Sequence, residues 1–595
     1  MKMPQFLWRI IRYRIWQYLA NVVTDAAFMT TRLAFGLIIQ GFFNTLQQQP
    51  RISPALWGWI GLMVLAAFLR GAISYGNARI TVGMNFLQRV LMHRNLLERI
   101  LQRPGARAVP ASPGEAMNRF RDDVQNGVNL TNTISDVIAN SYFMLAATYI
   151  LARISVPITL TVFLPLILVI AIAQSMKKRL TVYRQASRAA TSELTSAIGE
   201  IFGAVQAIQV AGAEPEVVTH FRSLNDKRRL LILRDTVLSN TLTATFANTV
   251  GIGRGVILIM VALSIRSHGL SVGDLAIFLY YLSSVSGFVQ SVGNLLAQYI
   301  QTDVSFGRLV ALLQGAPAAS LVTYNPLYVR GAEPPELPRQ RKTPEQPLKQ
   351  LEARNLSYHY PDTGRGISNI NLTLKRGSIT VITGRIGSGK TTLLQVLLGL
   401  LPKDEGEIIW NGNPVSDPAS FFVPPQSAYT AQVPHLFSDP LKENILLGLR
   451  EEDVDIQRAV HTAVLDHDVT LLENGLDTVI GPRGVKLSGG QAQRTAAARM
   501  LVRESDLLVF DDLSSALDVE TEQTMWERLF AQGAFTCLVV SHRKAVLQRA
   551  DHILVLKHGR LEAEGTLPEL MANCEEMQQL WHGAWESREE DVVER

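Results

Sequence analysis

Gly384-Arg385-Ile386-Gly387-Ser388-Gly389-Lys390-Thr391-Thr392 is the stretch on which the reading of this chain turns. It follows an apolar, β-branched run, Ser378-Ile379-Thr380-Val381-Ile382, and precedes the apolar run Leu393–Leu401, expected to be helical. Glycines in such a place let the backbone curl so that its N–H groups face inward around phosphate oxygens. The helix N-terminus adds its partial positive charge, Lys390 neutralises the outer phosphates, and Thr391 is placed to ligate Mg²⁺. The nine residues quoted are therefore candidate contacts to a purine nucleotide held by its phosphates. Downstream, Leu507-Leu508-Val509-Phe510-Asp511 reads as a buried strand ending in a carboxylate, Asp511, that can hold the same ion through water.

Outward from these motifs, the chain from about Leu351 alternates short β-rich runs with helical ones, Asp506–Phe510 and Thr536–Val540 among them. That alternation predicts an α/β domain around a largely parallel sheet. Between Gly315 and Gln350 lie prolines from Pro317 to Pro347 with scattered charge, a composition that reads as a linker. Ahead of it the chain is dominated by long apolar runs. Hydrophobic residues at 47% and charged residues at 18% are too apolar for an ordinary soluble protein and too charged for a chain wholly in lipid. A net charge of +5 on 595 residues is small, which argues against nucleic acid as a partner. Cys537 and Cys574 match neither a disulfide framework nor a metal site and suit a reducing cytosol. The N-terminus lacks the apolar core and cleavage site of a signal peptide, so no removal is expected.

Six segments of the first part are long and apolar enough to cross a bilayer: Tyr18–Thr45, Ala55–Tyr75, Ile134–Ala152, Val156–Met176, Leu242–Ile265 and Val272–Leu296. The third and fourth are joined by only Arg153, Ile154 and Ser155, a tight hairpin. Long polar stretches between the second and third spans, and between the fourth and fifth, carry most of the Arg and Lys, from Arg79 to Arg121 and from Lys177 to Arg234. The opposite loops hold only Arg51, Arg153 and Arg266. Lys and Arg mark the cytosolic side, so the N-terminus, both long loops and everything after residue 315 are expected there, in a plasma (inner) membrane protein. The opening Trp8-Arg9-Ile10-Ile11-Arg12-Tyr13-Arg14 suits an interfacial helix with its basic face on lipid phosphates, or a plain cytosolic anchor.

Between the two nucleotide motifs stands Leu487-Ser488-Gly489-Gly490-Gln491, followed by a helical run. In that position it resembles the signature of the ABC transporter ATPases. The resemblance extends in order along the domain: Tyr360 matches the aromatic that stacks on adenine, and Gln432 the glutamine that reaches Mg²⁺ and the membrane domain. Asp518, in Ser514-Ser515-Ala516-Leu517-Asp518, matches the loop that meets the opposing subunit, and His542 the histidine that contacts the γ-phosphate. Six spans with long cytosolic extensions resemble a type IV exporter half-transporter, with Gly114-Glu115 and Gly212-Ala213-Glu214 where such proteins place coupling helices. The implied fold is an α-helical six-span transmembrane domain, residues 1–315, a linker over 316–350, an α/β P-loop ABC ATPase domain over 351–585, and a charged tail over 586–595.

The resemblance implies ATP and Mg²⁺ as cofactors, with Thr391, Gln432 and Asp511 as metal residues and Asp512, His542 and Gln432 as catalytic ones. It also implies a dimer, because Ser488, Gly489, Gly490 and Gln491 act on ATP held by the other subunit's phosphate loop. The expected function is ATP-driven export of an amphipathic small molecule, lipid or peptide by alternating access, the alternatives being an importer on the same frame or an ATP-gated membrane regulator. Two departures stand out. The residue after Asp511 is usually Glu, whereas Asp512 is shorter by one methylene, about 1.5 Å, and a misplacement of about 1 Å can cost a hundredfold in rate. A slow ATP site is the expectation, with a shifted loop and a working site as the alternative. A second half-transporter carrying the Glu would make a heterodimer, the favoured arrangement, with a homodimer the alternative. Pro482 stands where exporters usually have an acidic residue against a coupling helix. Within the spans, Asp25, Arg32, Arg70 and Arg254 are costly unless paired, and Asp25 and Arg32 share one helical face. Cavity lining, an ion pair and a position beyond the lipid all remain open for them. Phe278, Tyr280, Tyr281 and Phe288 are expected to be packing.

Overall fold

The structure, a computed structural model, describes residues 1–582 apart from 49–50, 52, 104, 106–112, 267–269, 330, 332–346, 482–483, 514–516 and 534. The chain divides into two compact units, one from Met1–Glu98 and Pro110–Leu327, the other from Arg99–Val109 and Tyr328–Arg595.

The first unit is helical. A short α1, Met3–Tyr13, leads into α2, Ile15–Gln48, and α3, Pro54–Leu101. The turn-length α4, Pro113–Asn118, runs through a π-helical turn at Arg119–Asp123 into α5, Val124–Ile154. Then come α6, Val156–Gly203, α7, Val205–Ala211, α8, Glu214–Arg266, and α9, Val272–Leu312. Each expected span falls inside one of the six long helices. Among the described residues, Ile15–Gln48, Pro54–Leu101 and the run Glu115–Ile154 are long and apolar enough to cross a membrane, or four if the pair Val182–Gly203 and Val205–Ala211, bent by 71°, is counted. Side chains 161–178 lie outside the described residues, as do many along 242–269. The expected hairpin is tighter than three residues: Ser155 alone separates α5 from α6, extended at φ −159°, with Pro157 in the first turn of α6, where a missing N–H costs nothing.

The apolar face of the N-terminal helix is covered by protein, and its basic residues are left exposed, which fits either an interfacial helix or a cytosolic anchor. Met3, Phe6, Leu7, Ile10 and Ile11 are buried, and Phe6 and Ile10 belong to a core with Met92, Leu96, Val124, Val128 and Phe306. Its apolar face packs on the unit's own helices, while Pro4, Gln5, Trp8, Arg9 and Arg12 are exposed. The intramembrane charges divide. Asp25 is buried and accepts hydrogen bonds from Asn21 Nδ2 at 3.1 Å, Asn77 Nδ2 at 2.6 Å and Ser135 Oγ at 2.6 Å. Neutral donors on α2, α3 and α5 thus converge on one carboxylate, which offsets its desolvation. The Arg32 guanidinium lies 5.5 Å over the Phe143 ring and that of Arg70 4.6 Å over Phe28. The Arg254 side chain is outside the described residues. Phe278 and Tyr281 are core, with the Tyr281 hydroxyl donating to the Leu33 carbonyl at 2.6 Å.

In the stretch 316–350, Ala318–Val322 forms a 3-10 turn with Leu321 and Val322 buried, and 332–346 lie outside the described residues. The second unit holds two sheets. Strands β1, Gln350–His359, β2, Gly366–Lys375, β4, Glu405–Trp410, and β5, Asn413–Pro414, form an antiparallel sheet in the order β2-β1-β4-β5. Strands β3, Ile379–Gly384, β6, Ser427–Thr430, β7, Leu507–Asp511, β8, Thr536–Val540, β9, His552–Lys557, and β10, Arg560–Gly565, run β10-β9-β3-β8-β7-β6. All pairs there are parallel except β9–β10. Alternating side chains of β7 point to opposite faces: Leu508 and Phe510 enter one core, Leu507 and Val509 the other. Helices cover the face of Leu508 and Phe510, and the helix Lys390–Leu397 with the antiparallel sheet covers the other, so this sheet is the buried frame on which the phosphate loop sits.

Candidate functional site

The loop leaves β3 at its C-terminal end and enters the helix Lys390–Leu397. Gly384 takes φ +145°, and a Cβ there would lie 2.2 Å from the Leu556 carbonyl oxygen, so only glycine fits against β9. Gly389 caps the helix at φ +102° without any side-chain acceptor, which leaves the first-turn N–H groups free for a ligand. Lys390 Nζ donates to the Gly384 and Arg385 carbonyl oxygens, each at 2.8 Å. Burial pushes its ammonium pKa down, while the Asp512 and Asp511 carboxylates pull it back up. The Ser388 hydroxyl is buried without a hydrogen-bond partner, a polar atom left for something the loop encloses.

Around the loop the predicted residues assemble. Thr391 Oγ1 donates to Asp511 Oδ1 at 3.1 Å, and the Tyr429 hydroxyl donates to Asp511 Oδ2 at 3.2 Å. Burial raises the Asp511 pKa, and those two hydroxyls oppose the rise. Gln432 Nε2 donates to Asp512 Oδ2 at 3.2 Å, while Asp512 Oδ1 is buried with no partner. Burial raises the Asp512 pKa too, with His542, Gln432, Lys390 and Arg543 favouring the ionised form. The Asp512 backbone turns left-handed at φ +49°, and its N–H donates to the Val540 carbonyl at 3.1 Å. Aspartate tolerates that region better than longer side chains, so the sharp exit from β7 and the short carboxylate fit each other.

A cavity of about 220 Å³ opens beside the loop, lined by Tyr360, Arg365, Gly366, Gly387, Gly389, Lys390, Thr391 and Thr392. Tyr360 sits edge-on to Tyr358, ring centroids 5.1 Å apart, with its hydroxyl 3.5 Å from Thr392 Oγ1. Ser488 to Gln491 and Asp518 do not line this cavity. Ser488 is exposed as the N-cap of the helix Gly489–Leu501, its Oγ accepting the Gln491 N–H at 3.2 Å. Asp518 is the N-cap of Val519–Ala531 and accepts the Thr521 N–H at 2.9 Å, a bond that holds its carboxyl below the usual range. His542 is exposed. Ser514, Ser515, Ala516 and Pro482 lie outside the described residues.

Sequence reasoning missed several partners. Tyr429 looks like one more apolar strand residue, and nothing local marks its hydroxyl. Asp468 braces the signature helix by accepting from Gln491 Nε2 at 2.8 Å and pairing with Arg494 at 2.9 Å. Gln493 Nε2 donates to the Gln432 carbonyl at 3.3 Å, so the signature helix touches the Gln432 loop directly. Arg365 and Gly366 reach the cavity from the β1–β2 turn, which the phosphate motif does not contain.

A parallel sheet carrying a phosphate loop, a buried carboxylate strand and a separate signature helix defines an ABC-type ATPase, fused here to a long-helix unit. A family model for the ABC transporter transmembrane region matches residues 15–289, and one for the ABC transporter ATPase matches 367–515. The chain belongs to the ABC transporters. It is a half-transporter, a multi-pass membrane protein whose cytosolic domain binds and hydrolyses ATP to drive transport, and such half-transporters act as dimers. The chain is 27% identical over 484 residues to an ATP-dependent lipid A-core flippase of Bordetella pertussis, covering 80% of this chain and 75% of that one. It is 26% identical over 579 residues to the flippase of the same name from Ralstonia nicotianae, covering 95% and 93%. A solved bacterial Atm1-family ABC exporter with ATP bound shares the fold at a TM-score of 0.75 and 19% identity, over 96% of this chain and 98% of that one.

Proposed function

We propose that this half-transporter exports an amphipathic molecule, lipid being the favoured class, as the weak-site subunit of a heterodimer. Relatives named for moving lipid A-core across 80% to 95% of this chain support the substrate class. The single observation that carries the unequal-site reading is Asp512: its carboxylate is short, held at 3.2 Å by Gln432, and fixed by a left-handed backbone.

ATP would lie with its base on Tyr360 and its phosphates against the loop Gly384–Thr392. Thr391, Asp511 and Gln432 would hold Mg²⁺. They fit it: a hydroxyl and a carboxylate already meet at 3.1 Å, and hard oxygen donors suit the ion. Bound there, the ion would neutralise charge on the outer phosphates. Lys390 exchanges its two carbonyl contacts for phosphate oxygens, a charge-assisted gain in a partly buried place. Asp512 and His542 would orient the attacking water and the γ-phosphate, with the short arm of Asp512 making the step slow. Ser488 and its glycines would complete the partner's site rather than this chain's own, and Asp518 would meet the opposing subunit. Closure of two such domains on ATP would then be relayed to the helices as alternating access. Reconstitution into vesicles with ATP inside or outside, scored by movement of fluorescent lipid between leaflets, tests the export reading. No ATP-dependent lipid movement would overturn the lipid class.

A further inference from the structure

Arg385, expected among the nucleotide contacts, has its side chain engaged elsewhere. Its guanidinium pairs with Glu576, through Nε to Oε1 and through Nη2 to Oε2 at 3.2 Å, and Nη2 also donates to Gln579 at 2.6 Å. Both acceptors stand on the helix Glu575–His582, at the far end of the domain's sequence. Glu576 is 3% exposed and takes a second cation, Lys557 of β9, at 3.1 Å. Burial alone would raise its pKa, but the bonds from Arg385 and Lys557 outweigh that and hold it ionised.

The anchored residue is also the hub of the loop. The Arg385 carbonyl accepts Lys390 Nζ at 2.8 Å and the Ser388 N–H at 3.1 Å. On one side the loop is fixed by Gly384, pressed against the Leu556 carbonyl. On the other, the Gly559 N–H donates to the Ser388 carbonyl at 3.1 Å, and the Arg385 side chain ties the loop to a nearly buried carboxylate. Such a pair fixes geometry from the carboxylate's side: Glu576 is almost wholly buried and needs its cations, whereas the Arg385 side chain is 45% exposed.

We propose that Glu576 is a positioning residue for the nucleotide phosphates: acting through Arg385, it holds the curvature of the loop, so the C-terminal helix Glu575–His582 is part of the nucleotide site. This rests on the reading of the loop as that site. A rival account, in which these charges act only through their field on the phosphates, predicts opposite signs. Removing Arg385 would then weaken binding and removing the charge of Glu576 would strengthen it. Positioning predicts that both weaken it.

The test is equilibrium binding of ADP and of adenosine to the full-length protein, wild type against Glu576→Gln, Arg385→Met and the double variant. Expected is an ADP affinity about tenfold weaker in each single variant and no further loss in the double. Adenosine affinity should stay within about twofold, because the base rests on Tyr360 and not on the loop. If Glu576→Gln fails to fold, Arg385→Met measured in about 0.5 M salt still decides, since long-range attraction is screened there and positioning is not. Opposite signs, multiplying losses in the double, equal losses for adenosine, or singles within twofold of wild type would each overturn the inference. Lys390→Ala is measured alongside. Loss of ADP binding with it alone leaves the nucleotide site standing and removes the role of Glu576, whereas no loss with any variant removes the site itself.

Discussion

The helices Lys390–Leu397 and Gly489–Leu501 begin in opposite ways. The first is capped by a left-handed glycine with no side-chain acceptor, behind a loop into which a partly buried lysine folds. The second caps itself: Ser488 takes the Gln491 N–H, and the Gln491 side chain takes the Ser488 N–H at 2.8 Å, on an exposed surface. In the first, the free donors and the charge needed to hold phosphate are already gathered in one chain. In the second, the Ser488 hydroxyl accepts one internal N–H and keeps its O–H free to donate, which suits a phosphate oxygen arriving from outside. Under the proposed dimer, these two helix N-termini would be one nearly complete site and one half-site, as closure of two domains on ATP requires.

That contrast can be broken first at Lys390. Lys390→Ala should weaken ATP binding by about a hundredfold or more, since it removes a charged donor from a desolvated place; calorimetry on the purified protein measures it. Ser488→Ala, by comparison, should leave the affinity of this chain's own site unchanged, and an equal loss would erase the distinction between the two ends. Next in size is Tyr360→Ala, expected to cost about tenfold in ATP affinity through lost base stacking, read by the same titration. Smallest is Tyr429→Phe. Removing the hydroxyl that holds Asp511 Oδ2 at 3.2 Å should raise the Mg²⁺ concentration for half-maximal nucleotide binding about threefold. Metal-free binding should not move, and a change there would make Tyr429 a general packing residue.

The site was legible where its chemistry is local. Gly384 to Thr392 names its own ligand because the conformation, the charge and the hydroxyl all fall within nine consecutive residues. The strand Leu507–Asp511 was legible because a strand buried on both faces reads as a continuous apolar run. What stayed hidden came from afar: Tyr429 meets Asp511 across 82 residues and Arg385 meets Glu576 across 191. The antiparallel sheet around Tyr360 was hidden for a different reason. Irregular register near Leu356, with left-handed turns at Asn355 and Asn369, breaks the alternation by which a half-buried strand is recognised. In the membrane unit a helical-face argument set Asp25 beside Arg32, but the donors at Asp25 Oδ1 and Oδ2 include Asn77 and Ser135 from other helices, a convergence no single-helix pattern contains. The apolar face of α1 was equally plain in sequence, and packing shows which residues of the unit cover it.

The central claim is that this chain's two ends serve sites of unequal duty, and steady-state ATP hydrolysis by the assembled, reconstituted transporter tests it most directly. Ser488→Arg places a bulky cation at the half-site proposed to complete the partner's ATP and should remove about nine-tenths of turnover. Asp512→Asn alters only the site proposed to be slow and should leave most of the turnover in place. Near-complete loss with Asp512→Asn would contradict the account and leave a homodimer with two equal aspartate-based sites.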